Sequence, residues 1–272
     1  CTTGKDEYFG HGLINAKRAY DFVTDMTAPT ITISTTYNGS LTTFNASFVL
    51  SDAESGAYDA TYKLGTTEGG QDLGNGSIAD GATSLTVTGL TLSADQNYYL
   101  TIQCENGRGV VGSLTKSIPT ETTPPSVSNL ALDKTYTTSS NALYISWTAS
   151  DTGSGLKSFS YSVGTSPGAT NTLTTQTVES DAQAHLITGL TLSDNTEYYV
   201  NLQVTDHAGN TSTLLSTTPI KIDFTAPTYN TPSFTTSFTG SLDTLIFNSN
   251  ALDAQSGLIS LNYTIRTSLS SD

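Results

Sequence analysis

The feature that most constrains this chain is an internal repeat with a period of about 100 residues. Two landmarks recur in register, a Thr-x-Pro segment at Pro29, Pro125 and Pro227, and an Asp-x-x-Ser-Gly segment at Asp52, Asp151 and Asp253. Successive prolines are 96 and 102 residues apart, and successive aspartates 99 and 102. A shared period of this length indicates tandem copies of one module.

Within a copy, apolar and polar residues alternate, as they do in a strand that is buried on one side. Leu143, Ile145 and Trp147 follow this pattern, and residues 159–163 and 200–204 repeat it. The chain is rich in Thr and Ser and has 23 Gly and 14 Tyr, a composition typical of strands joined by small polar turns. We therefore predict a mostly β fold of tandem antiparallel β-sandwiches.

The landmarks divide the chain into four parts. Residues 1–26 lie outside the repeat, residues 27–121 and 122–224 are predicted to be complete sandwiches, and residues 225–272 a third, truncated one. Half a sandwich leaves an apolar face and strand edges uncovered. We therefore expect further strands beyond Asp272 and a sequence that is a fragment at both ends.

The second copy resembles a fibronectin type III domain, and more broadly the bacterial Ig-like modules. With the other two copies, the resemblance covers residues 27–272. Trp147 lies where that family has its core tryptophan, and the run from Gly189 to Tyr198 is similar to its tyrosine corner. The first copy has Tyr98 at the corner and Phe48 in place of the tryptophan. The resemblance implies that Trp147 and Phe48 occupy equivalent core sites, and that the two tyrosine hydroxyls bond to backbone a few residues upstream.

Residues 1–26 have a different pattern, with Leu13, Ala16, Ala19 and Val23 near one face of a predicted short N-terminal helix. The run from Gly10 to Ala19 is similar to the closing helix of subtilisin-like serine endopeptidases. That resemblance implies a protease domain upstream in the same parent chain. The alternative is an ordinary amphipathic helix preceded by glycine.

The catalytic triad of that protease family does not transfer to this chain. Its Asp, His and Ser lie upstream of the closing helix, and the contexts around its His and Ser do not occur here. His11, His185 and His207 lie on separate modules, and we read His11 as structural. We therefore predict no catalytic residue in the chain, and no peptidase activity from residues 1–272 alone.

The charge balance narrows the range of partners. Ten Lys and Arg against 24 Asp and Glu give a formal net charge of −14, which disfavours nucleic acid and anionic lipid. No apolar run is long enough to span a membrane.

Two cysteines, Cys1 and Cys104, exclude a disulfide-stapled scaffold. The expected partner is a protein or polysaccharide surface or substrate, and the expected location is extracellular or at the cell surface, in a bacterium.

The most motif-like loop follows a strand at Asp206-His207-Ala208-Gly209-Asn210. Asp206 and Asn210 could offer oxygen ligands to Ca²⁺, but we favour a hairpin turn, because the equivalent loop of the first copy contains Arg108. The three Asp-x-x-Ser-Gly segments are interpreted in the same way, as turns, so we predict no metal site and no cofactor. Tyr99, Tyr144 and Tyr199 are candidates for an exposed sugar-binding surface, but the sequence identifies no ligand.

Two classes of function remain. In the first, the chain is the non-catalytic end of a secreted subtilisin-like protease, whose sandwiches act as spacers or bind a surface or substrate. In the second, it belongs to an adhesion or structural surface protein with no enzymatic activity. A Gly-Thr-Ser segment encoded a few tens of residues upstream of Cys1 would favour the first.

Overall fold

The computed structural model describes residues 5–6, 10–11, 23–234 and 247–264. The chain divides into two compact units. Unit 1 comprises Cys1–Pro125, Asp151–Leu156 and Thr205–Thr211, and unit 2 comprises Ser126–Ser150, Lys157–Val204 and Ser212–Asp272. The described residues are mostly in antiparallel β-sheets, as the alternating pattern predicts.

The N-terminal segment contributes two short strands, β1 (Lys5–Asp6) and β2 (Gly10–His11), which pair antiparallel. The helix predicted for residues 1–26 is not shown. Most of its segment, residues 12–22, lies outside the described residues, and only Val23 and Thr24 of the described residues there are helical.

A two-sheet sandwich forms the body of unit 1. Its strands are β3 (Thr30–Ile33), β4 (Thr43–Ser51), β5 (Ala57–Gly65), β6 (Gly74–Ser77), β7 (Ser84–Thr88), β8 (Asn97–Asn106) and β9 (Val111–Pro119). One sheet has the order β3-β4-β7 and the other the order β6-β5-β8-β9. Phe44 and Phe48 from the first sheet and Leu64, Leu100 and Ile102 from the second belong to one buried cluster, so the core lies between the sheets.

A second sandwich lies mostly in unit 2, with the first residue of β13 and the last two of β16 in unit 1. Its strands are β10 (Ser126–Leu132), β11 (Tyr136–Thr137), β12 (Leu143–Ser150), β13 (Leu156–Gly164), β14 (Leu173–Val178), β15 (Ala184–Ile187), β16 (Glu197–Asp206), β17 (Leu215–Ser216) and β18 (Ile220–Ile222). One sheet has the order β10-β12-β15. The other has the order β11-β18-β16-β13-β14, with β17 beside β16. Trp147 from the first sheet and Phe159 from the second pack with ring centroids 4.9 Å apart.

The predicted equivalence of Phe48 and Trp147 is confirmed. Phe48 is 1% and Trp147 5% exposed, and each lies on the central strand of a three-stranded sheet. Their backbone N–H groups also donate to equivalent carbonyls, Phe48 to Thr83 at 2.9 Å and Trp147 to Gln183 at 3.0 Å. The register of β4 with β7 in the first sandwich therefore matches that of β12 with β15 in the second.

The tyrosine corners are confirmed as well. The Tyr98 hydroxyl accepts the backbone N–H of Ser93 at 2.8 Å, and the Tyr198 hydroxyl accepts that of Ser193 at 3.0 Å. Both tyrosines are buried, at 5% and 4% exposure. Each hydroxyl thus satisfies a backbone donor in the turn that precedes its strand.

The described part of the third copy forms two short strand pairs. The strands are β19 (Thr228–Tyr229), β20 (Ser233–Phe234), β21 (Phe247–Asn248) and β22 (Ala251–Leu252). β19 pairs with β22, and β20 with β21. Tyr229 and Leu252 lie on β19 and β22 and are exposed.

Candidate functional site

The Asp-x-x-Ser-Gly segments are turns, as the sequence predicts. The aspartate side chain of each turn accepts backbone N–H groups from residues that follow it, three for Asp52, two for Asp151 and three for Asp253. The N–H groups that bond to Asp253, that of Ser256 above all, lower the pKa of its carboxyl group. The glycine that ends each turn has a φ between +78° and +84°, which suits a residue without Cβ.

A second carboxylate, which the sequence analysis did not identify, lies just before each module. Asp25, Glu121 and Asp223 occupy the linkers, two residues ahead of the Thr of the Thr-x-Pro segment, and each is at most 6% exposed. Each side chain accepts the backbone N–H of that threonine. The signal was present in the sequence, since the three acids repeat with the same 96- and 102-residue spacing as the prolines.

In the first module, the linker carboxylate is fully satisfied by neutral donors. Asp25 Oδ2 accepts the Ser55 hydroxyl at 2.6 Å and the Asn106 amide at 2.9 Å, while Thr27 donates twice to Oδ1. The hydrogen bond from Ser55 is the largest cause that lowers the pKa of Asp25 to about 2. This carboxylate therefore joins the linker to two loops of the module that follows it.

Glu121 makes the corresponding contacts to the loops at residues 151–156 and 205–211. Its Oε2 accepts the Ser154 hydroxyl at 3.3 Å and the Asn210 amide at 2.9 Å. The Ser154 hydroxyl in turn accepts the backbone N–H of Ala208 at 3.0 Å. Linker, turn and hairpin loop are thus joined as they are in the first module, through the buried side chains of Glu121 and Ser154 and the half-buried side chain of Asn210.

The two junctions differ at one position. Where the first module has Asn106, which donates to Asp25, the second has Asp206, which is fully buried and cannot donate when ionised. The Asp206 side chain accepts the backbone N–H of Asn210 at 2.8 Å and its amide at 2.9 Å. Burial raises the pKa of Glu121, and the adjacent carboxylates of Asp206 and Asp151 raise it further.

Glu121, Asp151 and Asp206 form a group, called here the linker acid cluster, that could hold a metal ion. One carboxylate oxygen from each lies within 4.8 Å of the others. Asp151 Oδ1 is buried without a hydrogen-bond donor. Asp25, Asp52 and Glu54 form a comparable group in the first module, but Glu54 is exposed and Asp25 has the four donors given above.

His185 and His207 have different surroundings. His185 packs against Phe159 and Tyr161, with ring centroids 5.2 and 4.9 Å away, and burial lowers its pKa. His207 donates its backbone N–H to the Gly155 carbonyl at 3.0 Å. The His11 side chain lies outside the described residues.

The three tyrosines considered for sugar binding are not equally accessible. Tyr99 and Tyr199 are half-buried, whereas Tyr144 is 42% exposed. The register partner of Tyr144 is Leu186, which is 55% exposed. Among the described residues, no helix is long and apolar enough to cross a membrane.

Solved structures that resemble this chain include fibronectin(III)-like modules. Clostridium thermocellum CbhA fibronectin(III)-like modules are 14% identical, with a TM-score of 0.44, over 71% of this chain and 94% of that one. The chicken CNTN1 FN1-FN3 domains are 13% identical, with a TM-score of 0.44, over 72% of this chain and 67% of that one. Domains A168-A170 of titin are 14% identical, with a TM-score of 0.38 and the same coverage. No family model and no curated protein matches the sequence.

Proposed function

We propose that this chain is a non-catalytic tandem-module region of an extracellular protein and acts as a spacer that presents a neighbouring domain to a surface or substrate. The observation that carries the proposal is the repeated junction between linker and module. Asp25 and Glu121 each bond to the turn and the hairpin loop of the module that follows. Buried hydrogen bonds restrain the linker, so it does not act as a free flexible tether. A spacer of defined length requires a linker that is restrained in this way.

The neighbouring domain we propose is a subtilisin-like serine endopeptidase, located upstream. The support is the sequence from Gly10 to Ala19, which resembles the closing helix of that family and directly precedes the first module. Most of these residues lie outside the described structure, so this part of the proposal rests on the sequence alone.

A serine-directed inactivator, such as a tagged fluorophosphonate, tests the parent activity. We expect it to label the natural full-length protein and to leave purified residues 1–272 unlabelled. Heat-denatured full-length protein is the control, because labelling of a catalytic serine requires the folded site. Full-length protein that resists labelling and cleaves no peptide would contradict the protease parent, and the adhesion reading would replace it.

The adhesion alternative has one observation in its favour. Tyr144 and Leu186 are cross-strand partners that place two large side chains on the outer face of a sheet. An aromatic ring beside an aliphatic side chain suits the apolar face of a sugar or a hydrophobic protein patch. Under this alternative, the chain should sediment with an insoluble polysaccharide such as cellulose, and Tyr144→Ala should reduce the bound fraction. Tyr58→Ala, at a tyrosine that is 47% exposed, is the control and should bind normally.

A further inference from the structure

We propose that Asp194 is a latch, a side chain of the second module that holds both the linker after that module and the turn of the third copy. Asp194 lies in the loop that precedes β16. The inference goes beyond the proposed function, because it concerns how the third copy is held and not what the modules present. All the residues of the latch belong to unit 2.

The carboxylate of Asp194 accepts three hydrogen bonds from two segments that are distant in the sequence. Its Oδ1 accepts the backbone N–H of Phe224 at 3.0 Å, and its Oδ2 accepts the hydroxyl of Thr225 at 2.6 Å. Oδ2 also accepts the side-chain amide of Gln255, in the third Asp-x-x-Ser-Gly turn, at 3.2 Å. The donors, Thr225 above all, lower the pKa of Asp194, as expected for a carboxylate that is bonded in its ionised form.

The linker acid of the third junction lacks the partners that the first two junctions have. Asp25 and Glu121 each accept the serine hydroxyl of the turn that follows and an asparagine amide. Among the described residues, Asp223 accepts only the backbone N–H of Thr225. Asp223 and Ser256, the serine of the third turn, line a cavity of about 510 Å³. This linker is therefore held from the module before it, through the latch.

The residue before the turn serine differs together with the linker acid. In the second junction that residue is Gly153, and a Cβ there would lie 2.5 Å from Glu121 Cγ, so the glutamate leaves no room for a side chain. In the third junction the linker acid is Asp223, one methylene shorter, and the equivalent residue is Gln255. The third junction thus combines a shorter acid with a side chain long enough to reach Asp194.

The first module contains the same loop without the latch. Asp95 and Asn195 both have a positive φ, and each donates its backbone N–H to the carbonyl of the residue before the linker acid, at 3.0 and 2.8 Å. The preceding residue is Ala94 in the first module and Asp194 in the second. The loop therefore forms without the carboxylate, whose hydrogen bonds are directed to the linker and turn of the third junction.

Limited proteolysis of residues 1–272 with chymotrypsin tests the latch, with fragments identified by mass spectrometry. Chymotrypsin cleaves after large apolar residues, and Phe224 is 51% exposed in the linker. Cleavage there requires the linker to open locally. We expect it to be about ten-fold faster in Asp194→Ala than in the wild type, because the hydrogen bonds that hold the linker are lost. Asp181→Ala, at an exposed acid of the same unit, is the matched control and should be cleaved as the wild type is.

Cleavage within the first module is the internal standard of this experiment and should not change. Faster cleavage confined to the bond after Phe224 supports the latch, whereas equal rates in the wild type and a folded Asp194→Ala variant overturn it. If Asp194→Ala does not fold or is cleaved faster throughout, Thr225→Val decides, because it removes only the hydroxyl bonded to Oδ2. Thr225→Val should be cleaved about three-fold faster after Phe224, and an unchanged rate in that variant overturns the proposal.

Discussion

At the scale of single residues, a few buried polar side chains define the junctions of this protein. Sequence reasoning found Tyr98 and Tyr198, because their spacing from the preceding Gly-Leu pair is a local pattern. It also identified the loop at Asp206, but not the partner of that aspartate. Glu121 lies 85 residues earlier, and no periodicity indicates which side chains two distant loops bring together.

The linker acids Asp25, Glu121 and Asp223 were missed for another reason. An acidic residue in a polar linker ordinarily faces solvent, so its repetition at a constant offset does not by itself predict a buried contact. Burial of these carboxylates depends on donors supplied by Ser55 and Asn106 in the first module and by Ser154 and Asn210 in the second. Such compensation is visible only in the folded chain.

Replacement of the first linker acid should alter the acid stability of the protein. Hydrogen bonds lower the pKa of Asp25 to about 2, below its ordinary value, so the ionised form stabilises the fold above about pH 4 and this contribution disappears as the pH falls toward 2. Urea unfolding of Asp25→Asn and wild type should therefore differ at pH 7 and converge near pH 2. Asp80→Asn, at an exposed acid, should follow the wild type throughout. A deficit that stays constant down to pH 2 would contradict the ionic origin of the effect.

Removal of a corner hydroxyl should have a defined cost. Tyr198→Phe leaves the Ser193 N–H, otherwise bonded at 3.0 Å, without its acceptor, and we expect a loss of about 1–3 kcal/mol in the free energy of unfolding. Tyr199→Phe removes the hydroxyl of the half-buried tyrosine on the other face of β16, and we expect a smaller loss in the free energy of unfolding. Equal losses in a urea titration of the two variants would show that the corner bond contributes nothing specific.

At the scale of elements, the strand pattern was the most predictable part of the fold. Alternation along β12 places Leu143, Ile145 and Trp147 inward, and the structure buries all three. The small edge strands were not predicted, because pairs such as β11 with β18, or the addition of β17 to β16, involve two or three residues and leave no periodic signal. These short strands form where the fold places them beside a longer strand, which is a tertiary property.

The Asp-x-x-Ser-Gly turn should be sensitive to its final residue. Gly155 has a φ of +80°, and a Cβ there would meet no atom within 4 Å, so the strain of Gly155→Ala comes from the backbone alone. We expect a loss of about 1–2 kcal/mol in the free energy of unfolding. Thr152→Ala, in the same turn at an exposed position, is the control and should be nearly neutral. A stable Gly155→Ala variant would mean that the turn can adopt another conformation.

At the scale of the whole molecule, each of the two compact units contains a natural reporter. Trp147 is the only tryptophan of the chain and is buried in unit 2. Cys104 is fully buried in unit 1, and burial raises the pKa of its thiol, so it reacts slowly with thiol reagents in the folded state. In a Cys1→Ser variant, Cys104 is the only cysteine left, because the chain has two.

These reporters allow the independence of the two cores to be tested. Chains with more than one core commonly depart from two-state unfolding, so we expect core substitutions to act on one reporter each. In the Cys1→Ser background, Phe48→Ala should cost about 3–5 kcal/mol and lower the urea midpoint for exposure of Cys104, while the midpoint of Trp147 fluorescence stays unchanged. Ile145→Ala also leaves a cavity, and it should lower the urea midpoint of Trp147 fluorescence while the urea midpoint for exposure of Cys104 stays unchanged. If either substitution moves both midpoints together, the two units unfold as one cooperative body, and the division into separately folding modules is wrong.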